Sequence, residues 1–329
     1  MSALAVTLQA FFTDRMVRQR DASPHTIASY RDTWRLLLTF AQQHTGKPPS
    51  QLDITDLDAE LIAAFLDHLE HERGNAPTTR NVRLAAIRSL FRFAALRHPE
   101  HAATIERVLA IPPKRVDRAL IAYLTEPEIQ ALLAACDRTT WTGRRDHTWL
   151  LLAVQTGLRV SELTGLRCAD LHLDIGAHVT CHGKGRKHRI TPLTRHTVAA
   201  LKTWLAERAG QPHDPLFCSR RGTALSRDAL ERRLTLYSTR AAATCPSLAE
   251  KRVTAHVLRH TAAMRLLAAG IDTAVIALWL GHEHVDTTQI YLHADLALKE
   301  RALARTTPPN GRPGRYRAPD TLVAFLDNL

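Results

Sequence analysis

Six side chains in the second half of the sequence are of the types that phosphoryl-transfer chemistry uses. They supply a phenol, two guanidinium groups, one ammonium group and two imidazoles. They are Arg159, Lys184, His256, Arg259, His282 and Tyr291. Such a set suits nucleophilic attack on a phosphodiester without help from a metal ion.

A phosphodiester resists nucleophiles because its anionic oxygens repel them, and the five-coordinate transition state gathers more charge on the non-bridging oxygens. Pre-positioned cations must hold that charge, and this is usually the largest contribution to catalysis. Arginine suits the task since its planar fork matches two phosphate oxygens and keeps its proton. A free phenol has a pKa of about 10, so Tyr291 needs a nearby base or a positive field. The leaving alkoxide needs a proton, which lysine or histidine can donate.

The first element that carries these groups is predicted to be a helix. His256 and Arg259 are three residues apart, so they share one helical face. The run from 257 to 269 contains no Pro or Gly, and Gly270 predicts the end of the helix. The imidazole and the guanidinium therefore approach a substrate from the same side.

A second apolar helix, AVIALWL, follows and ends at Gly281, so His282 is predicted to lie on a turn. Tyr291 comes nine residues after His282. The segment that leads to it opens with good helix-capping residues, Asp286, Thr287 and Thr288.

The pair His256 and His260 has the spacing of a zinc-binding HxxxH motif. Neither an adjacent glutamate nor a third ligand accompanies it. The interpretation from the sequence is therefore a site with no metal and no cofactor.

The motifs TGLRVSEL, GKGRKHRITPL, HVLRHTAAMRLL and WLGH, with a tyrosine nine residues beyond the last, together resemble the tyrosine recombinase (phage integrase) family. The resemblance is strongest from 118 to 300. It implies that Glu162 steadies the active site without reacting. Val257 departs from the Asp that many members carry in HDLRH, at a position that is not catalytic. The residues that match the family's activating groups are Arg159, Lys184, His256, Arg259 and His282, and Tyr291 matches its nucleophile.

The chain of 329 residues is long enough for two domains, and its net charge of +12 favours a polyanionic partner such as DNA or RNA. Its five cysteines are scattered without a CxxC pair, which is typical of reduced thiols. The start of the chain lacks the features of an export signal, and no apolar run approaches the length of a membrane span. These features predict a cytoplasmic protein. If its partner is DNA, the protein would be associated with the nucleoid.

Residues 1–110 are predicted to form an all-helical bundle of five helices, at about 4–20, 24–43, 58–73, 80–97 and 101–110. Thr78 or Thr79 is expected to cap the fourth helix. The bundle alone is compatible with a solvated structural domain, whereas the resemblance implies a SAM-like core-binding domain that clamps DNA. The fourth helix is the candidate for phosphate contact because of its arginines, Arg80, Arg83, Arg88, Arg92 and Arg97.

A basic, Pro-containing linker is predicted at 111–119, before an α-rich catalytic domain at 120–306. That domain is expected to hold a small antiparallel β-sheet, in which strands near 178–181 and 188–191 flank a hairpin that carries Lys184. Lys187 is the alternative if the hairpin register is shifted. A second basic zone either contacts phosphates or is a solvated face: Arg220, Arg221, Arg227, Arg232 and Arg233.

Residues 307–329 read as a flexible linker and a short C-terminal helix with an apolar stripe. Nine residues are too few for an isolated helix, so the segment needs a partner surface. The resemblance implies docking on a neighbouring protomer, and the alternative is docking on its own domain. The apolar stripe consists of Leu322, Phe325, Leu326 and Leu329.

The resemblance thus implies a mainly α, two-domain site-specific recombinase that cleaves and rejoins double-stranded DNA through a 3′-phosphotyrosyl link, without metal or ATP. It would act as a homo-tetramer on two sites, alone or with sister recombinases, in integration, transposition or resolution of mobile DNA. Three alternatives stay open from the sequence. They are a type IB topoisomerase, a catalytically silent architectural DNA-binding protein, and a zinc-dependent hydrolase.

Overall fold

The computed structural model describes residues 2–116, 121–182 and 188–281. The chain divides into two compact units, Met1–Ala119 and Leu120–Leu329. No helix within the described ranges is both long and apolar enough to cross a membrane. All five cysteines are free thiols.

The first unit is a helical bundle, which confirms the predicted fold class for this part of the chain. The predicted first helix consists of two parts in the structure. It begins as the α-helix Ala3–Ala10 and continues from Phe11 as a π-helix, which has a wider turn. The other four predicted helices are present within a few residues of their expected bounds. The helices are α1 (Ala3–Ala10), the π-helix (Phe11–Gln19), α2 (Pro24–Thr45), α3 (Ala59–His71), α4 (Pro77–Ala95) and α5 (Ala102–Ala110).

Local capping chemistry sets most of these bounds. The Ser23 hydroxyl accepts from the Thr26 amide at 3.2 Å, and Gly46 ends α2 in the left-handed region at φ 70°. The predicted cap of α4 was wrong. That helix begins at Pro77 behind Ala76, which makes no side-chain cap. Proline suits this place because it lacks an N–H that would otherwise need a partner.

The arginines of α4 differ in what they do. Arg80 is buried and its guanidinium lies 3.6 Å from the Glu70 carboxylate, while Arg88 donates to the carbonyl of Ile111. Arg92 is exposed. Part of the positive charge on α4 therefore holds the bundle together, and phosphate contact by this helix stays a prediction for its exposed arginines.

In its described residues, 121–182 and 188–281, the second unit contains seven α-helices and one small sheet, as the predicted fold class requires. The three strands are antiparallel in the order β1-β2-β3, and β1 was not predicted. The strands are β1 (Leu171–His172), β2 (His178–His182) and β3 (His188–Pro192). The helices are α6 (Glu126–Ala134), α7 (Trp141–Thr156), α8 (Val160–Gly165), α9 (Arg195–Arg208), α10 (Arg227–Ala241), α11 (Ala255–Ala268) and α12 (Thr273–Leu280).

Helix α7 is the centre of this unit. Its Trp149, Leu150 and Leu152 are fully buried. A capping box begins α6, since Thr125 and Glu128 bond reciprocally. The Thr140 hydroxyl caps α7 by accepting from the Gly143 N–H at 3.0 Å, and burial of the apolar face of α7 fixes how that helix packs.

A buried ionic cluster ties α7 to α10. Asp146 is fully buried and accepts hydrogen bonds from Arg145 Nε (2.8 Å), Trp149 Nε1 (2.9 Å), Arg233 Nε (2.5 Å) and the Tyr237 hydroxyl (2.7 Å). Arg233 belongs to the basic zone that the sequence predicted either to contact phosphates or to form a solvated face. Its guanidinium instead pairs within the protein, so this member of the zone is structural.

Replacing Asp146 by Ala is expected to lower the free energy of unfolding by about 3–5 kcal/mol, because it leaves two guanidinium groups without their buried counter-charge. Urea unfolding followed by tryptophan fluorescence measures the change. Asp174→Ala is the matched control. Its carboxylate is 98% exposed and lies 3.6 Å from Lys202, so its effect should stay within about 0.5 kcal/mol. Equal unfolding midpoints for the two variants would refute the structural role of the cluster.

Candidate active site

Three of the six predicted site residues belong to the described part of the second unit: Arg159, His256 and Arg259. The other three, Lys184, His282 and Tyr291, lie outside the described residues, as do the alternative Lys187 and the tail 307–329.

Arg159 is delivered by the turn between α7 and α8. Gly157 ends α7 in the left-handed region at φ 64°, and Arg159 follows as the N-cap of α8. The Glu162 carboxylate accepts from the Arg159 backbone N–H at 2.7 Å and from its Nη1 at 3.0 Å. The Glu162 side chain is 4% exposed and that of Arg159 is 41% exposed. A buried carboxylate thus orients a guanidinium that still reaches solvent, which fits the steadying role expected of Glu162.

Arg259 reaches the same region from α11 and is buried. Its Nη1 donates to the carbonyl of Gly157 and its Nη2 to the carbonyl of Leu280, both at 2.7 Å. One side chain therefore joins the end of α7 to the end of α12. The spacing that predicted Arg259 on one helical face with His256 is consistent with this arrangement.

Gly157 allows α7, α11 and α12 to meet this closely. A Cβ at this position would lie 2.6 Å from Leu280 Cδ2 and 3.1 Å from the Cβ of Ala262. The positive φ and the close approach both select glycine. The Gly in TGLR is thus required by the packing around the arginines as well as by the turn.

Sequence reasoning missed a third arginine, Arg189 of β3. Its two terminal nitrogens contact the two carboxylate oxygens of Glu162, Nη1 at 3.0 Å and Nη2 at 2.8 Å, and Nη1 also donates to the Leu280 carbonyl at 2.7 Å. The signal available in the sequence is that a charged residue lies in the strand that pairs with the apolar residues Val179 and Cys181. That signal is weak, because half of the positions in a short strand face solvent.

The three guanidinium groups converge on the C-terminal end of α12. Arg159 Nη2 donates to the Gly281 carbonyl at 2.8 Å, while Arg189 and Arg259 both donate to that of Leu280. The last carbonyls of a helix lack intrahelical partners and carry partial negative charge, so cations are favourable there. The cluster contains three guanidinium groups and one carboxylate, that of Glu162, so it keeps an excess of positive charge. Such a surface attracts anions.

His256 lies in the first turn of α11, with its ring centroid 4.1 Å from that of His260. Burial of part of its ring, together with the nearby charges of Arg259 and Arg159, lowers the pKa of His256 below its ordinary value. Burial, then His256 and Arg259, lowers the pKa of His260 to about 4. The positive end of the α11 dipole acts in the same direction. Both imidazoles are therefore neutral at neutral pH, a state in which His256 can accept a proton.

No three His, Cys, Asp or Glu side chains gather as a metal-ligand set within 2–116, 121–182 and 188–281. The chemistry of the described cluster is that of cationic hydrogen-bond donors and a neutral imidazole.

Comparison with known protein families gives a match in each of the two units of the chain. The family described as the phage integrase family matches residues 122–297, and the N-terminal SAM-like domain of phage integrases matches residues 10–98. The chain belongs to the phage integrase family of tyrosine recombinases. The resemblance drawn from the motifs is confirmed, and a tyrosine recombinase is an enzyme of DNA strand exchange.

Proteins named as integrases or recombinases match this chain over most of their length. The integrase/recombinase y4rC of Sinorhizobium fredii is 56% identical over 328 residues, covering 100% of this chain and 99% of that protein. The tyrosine recombinase XerC of Xanthomonas campestris is 33% identical over 279 residues, covering 84% of this chain and 81% of that protein. The crystal structure of the XerH site-specific recombinase, bound to a palindromic difH substrate in a post-cleavage complex, is 25% identical with a TM-score of 0.68. That match covers 87% of this chain and 81% of the XerH chain.

Proposed function

We propose that this tyrosine recombinase is a site-specific DNA recombinase that cleaves and rejoins duplex DNA through a 3′-phosphotyrosyl intermediate. The observation that carries the proposal is the convergence of Arg159 and Arg259 on the end of α12. In the sequence, His282 follows this end directly and Tyr291 comes nine residues later. Two guanidinium groups and a tyrosine are the residue types that a metal-free attack on a phosphodiester needs.

In the proposed reaction, the Tyr291 oxygen bonds to the scissile phosphorus and the bond from phosphorus to the 5′ oxygen breaks. Arg159 and Arg259 hold the non-bridging oxygens as charge grows on them. Arg159 is the more exposed and meets the phosphate from solvent. Arg259 is buried, where its charge is less screened by water.

Proton transfers complete the cleavage. His256, neutral at neutral pH because its pKa is lowered, accepts the phenolic proton of Tyr291. Lys184 donates a proton to the departing 5′ oxygen, and His282 donates a hydrogen bond to the phosphate. The assignments of Lys184, His282 and Tyr291 rest on the sequence motifs. Attack by the 5′-hydroxyl of a partner strand reverses the step, so the ester keeps the bond energy and ATP is not needed.

The proposed partner is double-stranded DNA. The net charge of +12 favours a polyanion, and the XerH relative was crystallised with its DNA substrate. In the same proposal, residues 1–110 form the core-binding domain, 111–119 the linker along the DNA and 120–306 the catalytic domain. The exposed Arg92 of α4 is one candidate phosphate contact.

Recombination of two sites is proposed to use a homo-tetramer, in which residues 319–329 dock on a neighbouring protomer. Sedimentation of the chain with its DNA, with and without these residues, measures the assembly. A tetramer that survives the deletion unchanged would refute docking on a neighbour and support docking on the same domain.

The function is tested by trapping the intermediate. Nicked duplex fragments from the DNA flanking the gene, chosen for inverted repeats, release a short strand on cleavage and so prevent rejoining. Denaturing gels detect the adduct, and mass spectrometry of the digested adduct identifies the linked peptide. The expected result is a peptide containing Tyr291 on a 3′-phosphate, formed equally with and without EDTA. Linkage at another residue, at a 5′-phosphate, or only without EDTA would overturn the proposal.

The lowered pKa of His256 predicts how cleavage depends on pH. A group whose pKa is lowered stays neutral to a lower pH, so cleavage at limiting DNA should persist below the ordinary histidine pKa of about 6.5 and decline only under more acidic conditions. Single-turnover rates between about pH 5 and about pH 8 measure the profile.

The control for this profile is His256→Gln. This variant should cleave about 10²-fold more slowly and lose the acidic decline, because no imidazole remains to be protonated. An acidic decline in the unchanged protein centred at or above pH 6.5 would contradict the role of His256 as a neutral base.

A further inference from the structure

We propose that Arg189 is a positioning residue for the cleavage step, an inference that rests on the proposed function. Its guanidinium fixes the carboxylate that orients Arg159, and the same group fixes the backbone that leads into His282. It thereby sets the distance between groups that meet the phosphate from different elements.

The first contact is with Glu162. The terminal nitrogens of Arg189 face both carboxylate oxygens, at 3.0 Å and 2.8 Å, and the side chains of Arg189 and Glu162 are 12% and 4% exposed. Such a forked, charge-assisted pair fixes orientation as well as distance. Because the same carboxylate also holds Arg159, a shift of Arg189 would be passed to the guanidinium that meets the phosphate.

The second contact is with the end of α12. Arg189 Nη1 donates to the Leu280 carbonyl, which Arg259 also holds. A Cβ on Gly281 would lie 2.6 Å from that same Nη1. Gly281 also has a φ of 66°, so glycine serves both the turn and the close approach of Arg189. The backbone directly before His282 is thus seated against this guanidinium.

The position of Arg189 in β3 indicates that stability alone does not explain it. Arg189 pairs across the sheet with the buried Cys181, and its second neighbour Thr191 is fully buried, whereas Ile190 is 64% exposed. The strand therefore turns a charge inward and an isoleucine outward. Burying a charge is costly even when it is paired, and an apolar side chain often fills such a position without loss. A role in positioning explains why a guanidinium is there.

In the chain, Arg189 comes two residues after the segment 183–187, which contains Lys184. One side chain thus connects β3 with Glu162 of α8 and with the end of α12. These three elements carry or adjoin the proposed positions of Lys184, Arg159 and His282.

The test uses Arg189→Met, which removes the charge, and Arg189→Lys, which keeps the charge but loses the fork. Three quantities are measured on the full chain: DNA affinity, the single-turnover cleavage rate at saturating DNA, and the unfolding midpoint. We expect cleavage to fall about 10²-fold in the Met variant and about 10-fold or more in the Lys variant, with little change in affinity, because a small misplacement of catalytic groups has that effect. If the Met variant does not fold, the cleavage rate of the Lys variant alone tests the inference.

Arg144→Met is the matched control. Arg144 also makes a forked pair with a glutamate of the second unit, at 2.9 Å and 2.7 Å from the Glu207 carboxylate. It makes no contact with Glu162 or Leu280 in the described residues. The Arg144→Met variant should therefore cleave DNA at the rate of the unchanged protein.

A double-mutant cycle separates positioning from simple support of the fold. In a Glu162→Gln background, Arg189→Met should lower the rate by much less than it does alone, since both act on the orientation of Arg159. Rate losses that simply multiply, or Arg189 variants that cleave as fast as the Arg144 control, would overturn the inference. If the unchanged protein forms no adduct, the proposed function itself fails, and the two failures are thereby distinguished.

Discussion

A Tyr291→Phe variant is expected to form no covalent link to DNA while binding DNA with an affinity close to that of the unchanged protein. Phenylalanine keeps the ring and removes the only atom proposed to bond to phosphorus. The reaction then has no nucleophile, because water lacks the fixed position that makes attack within the complex fast. The expected loss is at least about 10⁴-fold, which places cleavage below detection.

The measurement is a denaturing gel of nicked substrates alongside a binding titration at fixed salt, since affinity for DNA depends steeply on salt. Tyr237→Phe serves as the control, because it removes a hydroxyl that bonds to the buried Asp146 rather than to the candidate site. Adduct formation by Tyr291→Phe at a measurable rate would remove Tyr291 from the role of nucleophile.

Arg259→Ala is expected to lower the cleavage rate by about 10³-fold, in the range that the loss of one transition-state hydrogen-bond donor gives. The effect has two sources. The change removes a poorly screened positive charge from the proposed phosphate site, and it removes the donor that joins the carbonyls of Gly157 and Leu280. Arg259→Lys keeps the charge but cannot span both carbonyls, so we expect it to recover only part of the rate.

Arg265→Ala is the control for Arg259, because it lies on the same helix and removes the same charge. Arg265 is 47% exposed and its guanidinium lies 3.4 Å from Glu126. Its variant should cleave within about threefold of the unchanged rate, since an exposed pair contributes about 0–1 kcal/mol. Single-turnover cleavage at saturating DNA compares the two. Equal rates for the Arg259 and Arg265 variants would show that Arg259 takes no part in the reaction.

The sequence predicted the helices well because their signals are local. Ser23 and Asp58 cap α2 and α3, and Gly157 and Gly281 end α7 and α12 at positive φ. Each signal acts within one or two turns of its helix, so neighbouring residues suffice to place it. The start of α4 was predicted wrongly because Thr78 and Thr79, which follow Pro77, are both residues that often cap helices. The helix instead begins at Pro77, with Ala76 in the N-cap position.

The roles of the arginines could not be predicted in the same way. Arg80, Arg189 and Arg233 look like ordinary members of basic stretches, yet each has a carboxylate partner in the structure: Glu70, Glu162 and Asp146. For Arg189 and Arg233 that carboxylate is distant in the chain, and a charge pattern along one segment cannot identify it. In β3, hydrophobicity alone would favour Ile190 over Arg189 as the inward residue, whereas the structure leaves only 12% of the Arg189 side chain exposed and exposes Ile190.

By itself, the sequence determined the family, the mainly α fold, and a set of six candidate residues through the order and spacing of short motifs. The tertiary structure decided that Arg159, Arg189 and Arg259 meet at the end of α12 and that Glu162 serves two of them. The physical reason is the range of the interactions. Caps and helical faces depend on residues three or four positions apart, whereas a shared carboxylate or carbonyl depends on chain segments that only folding brings together.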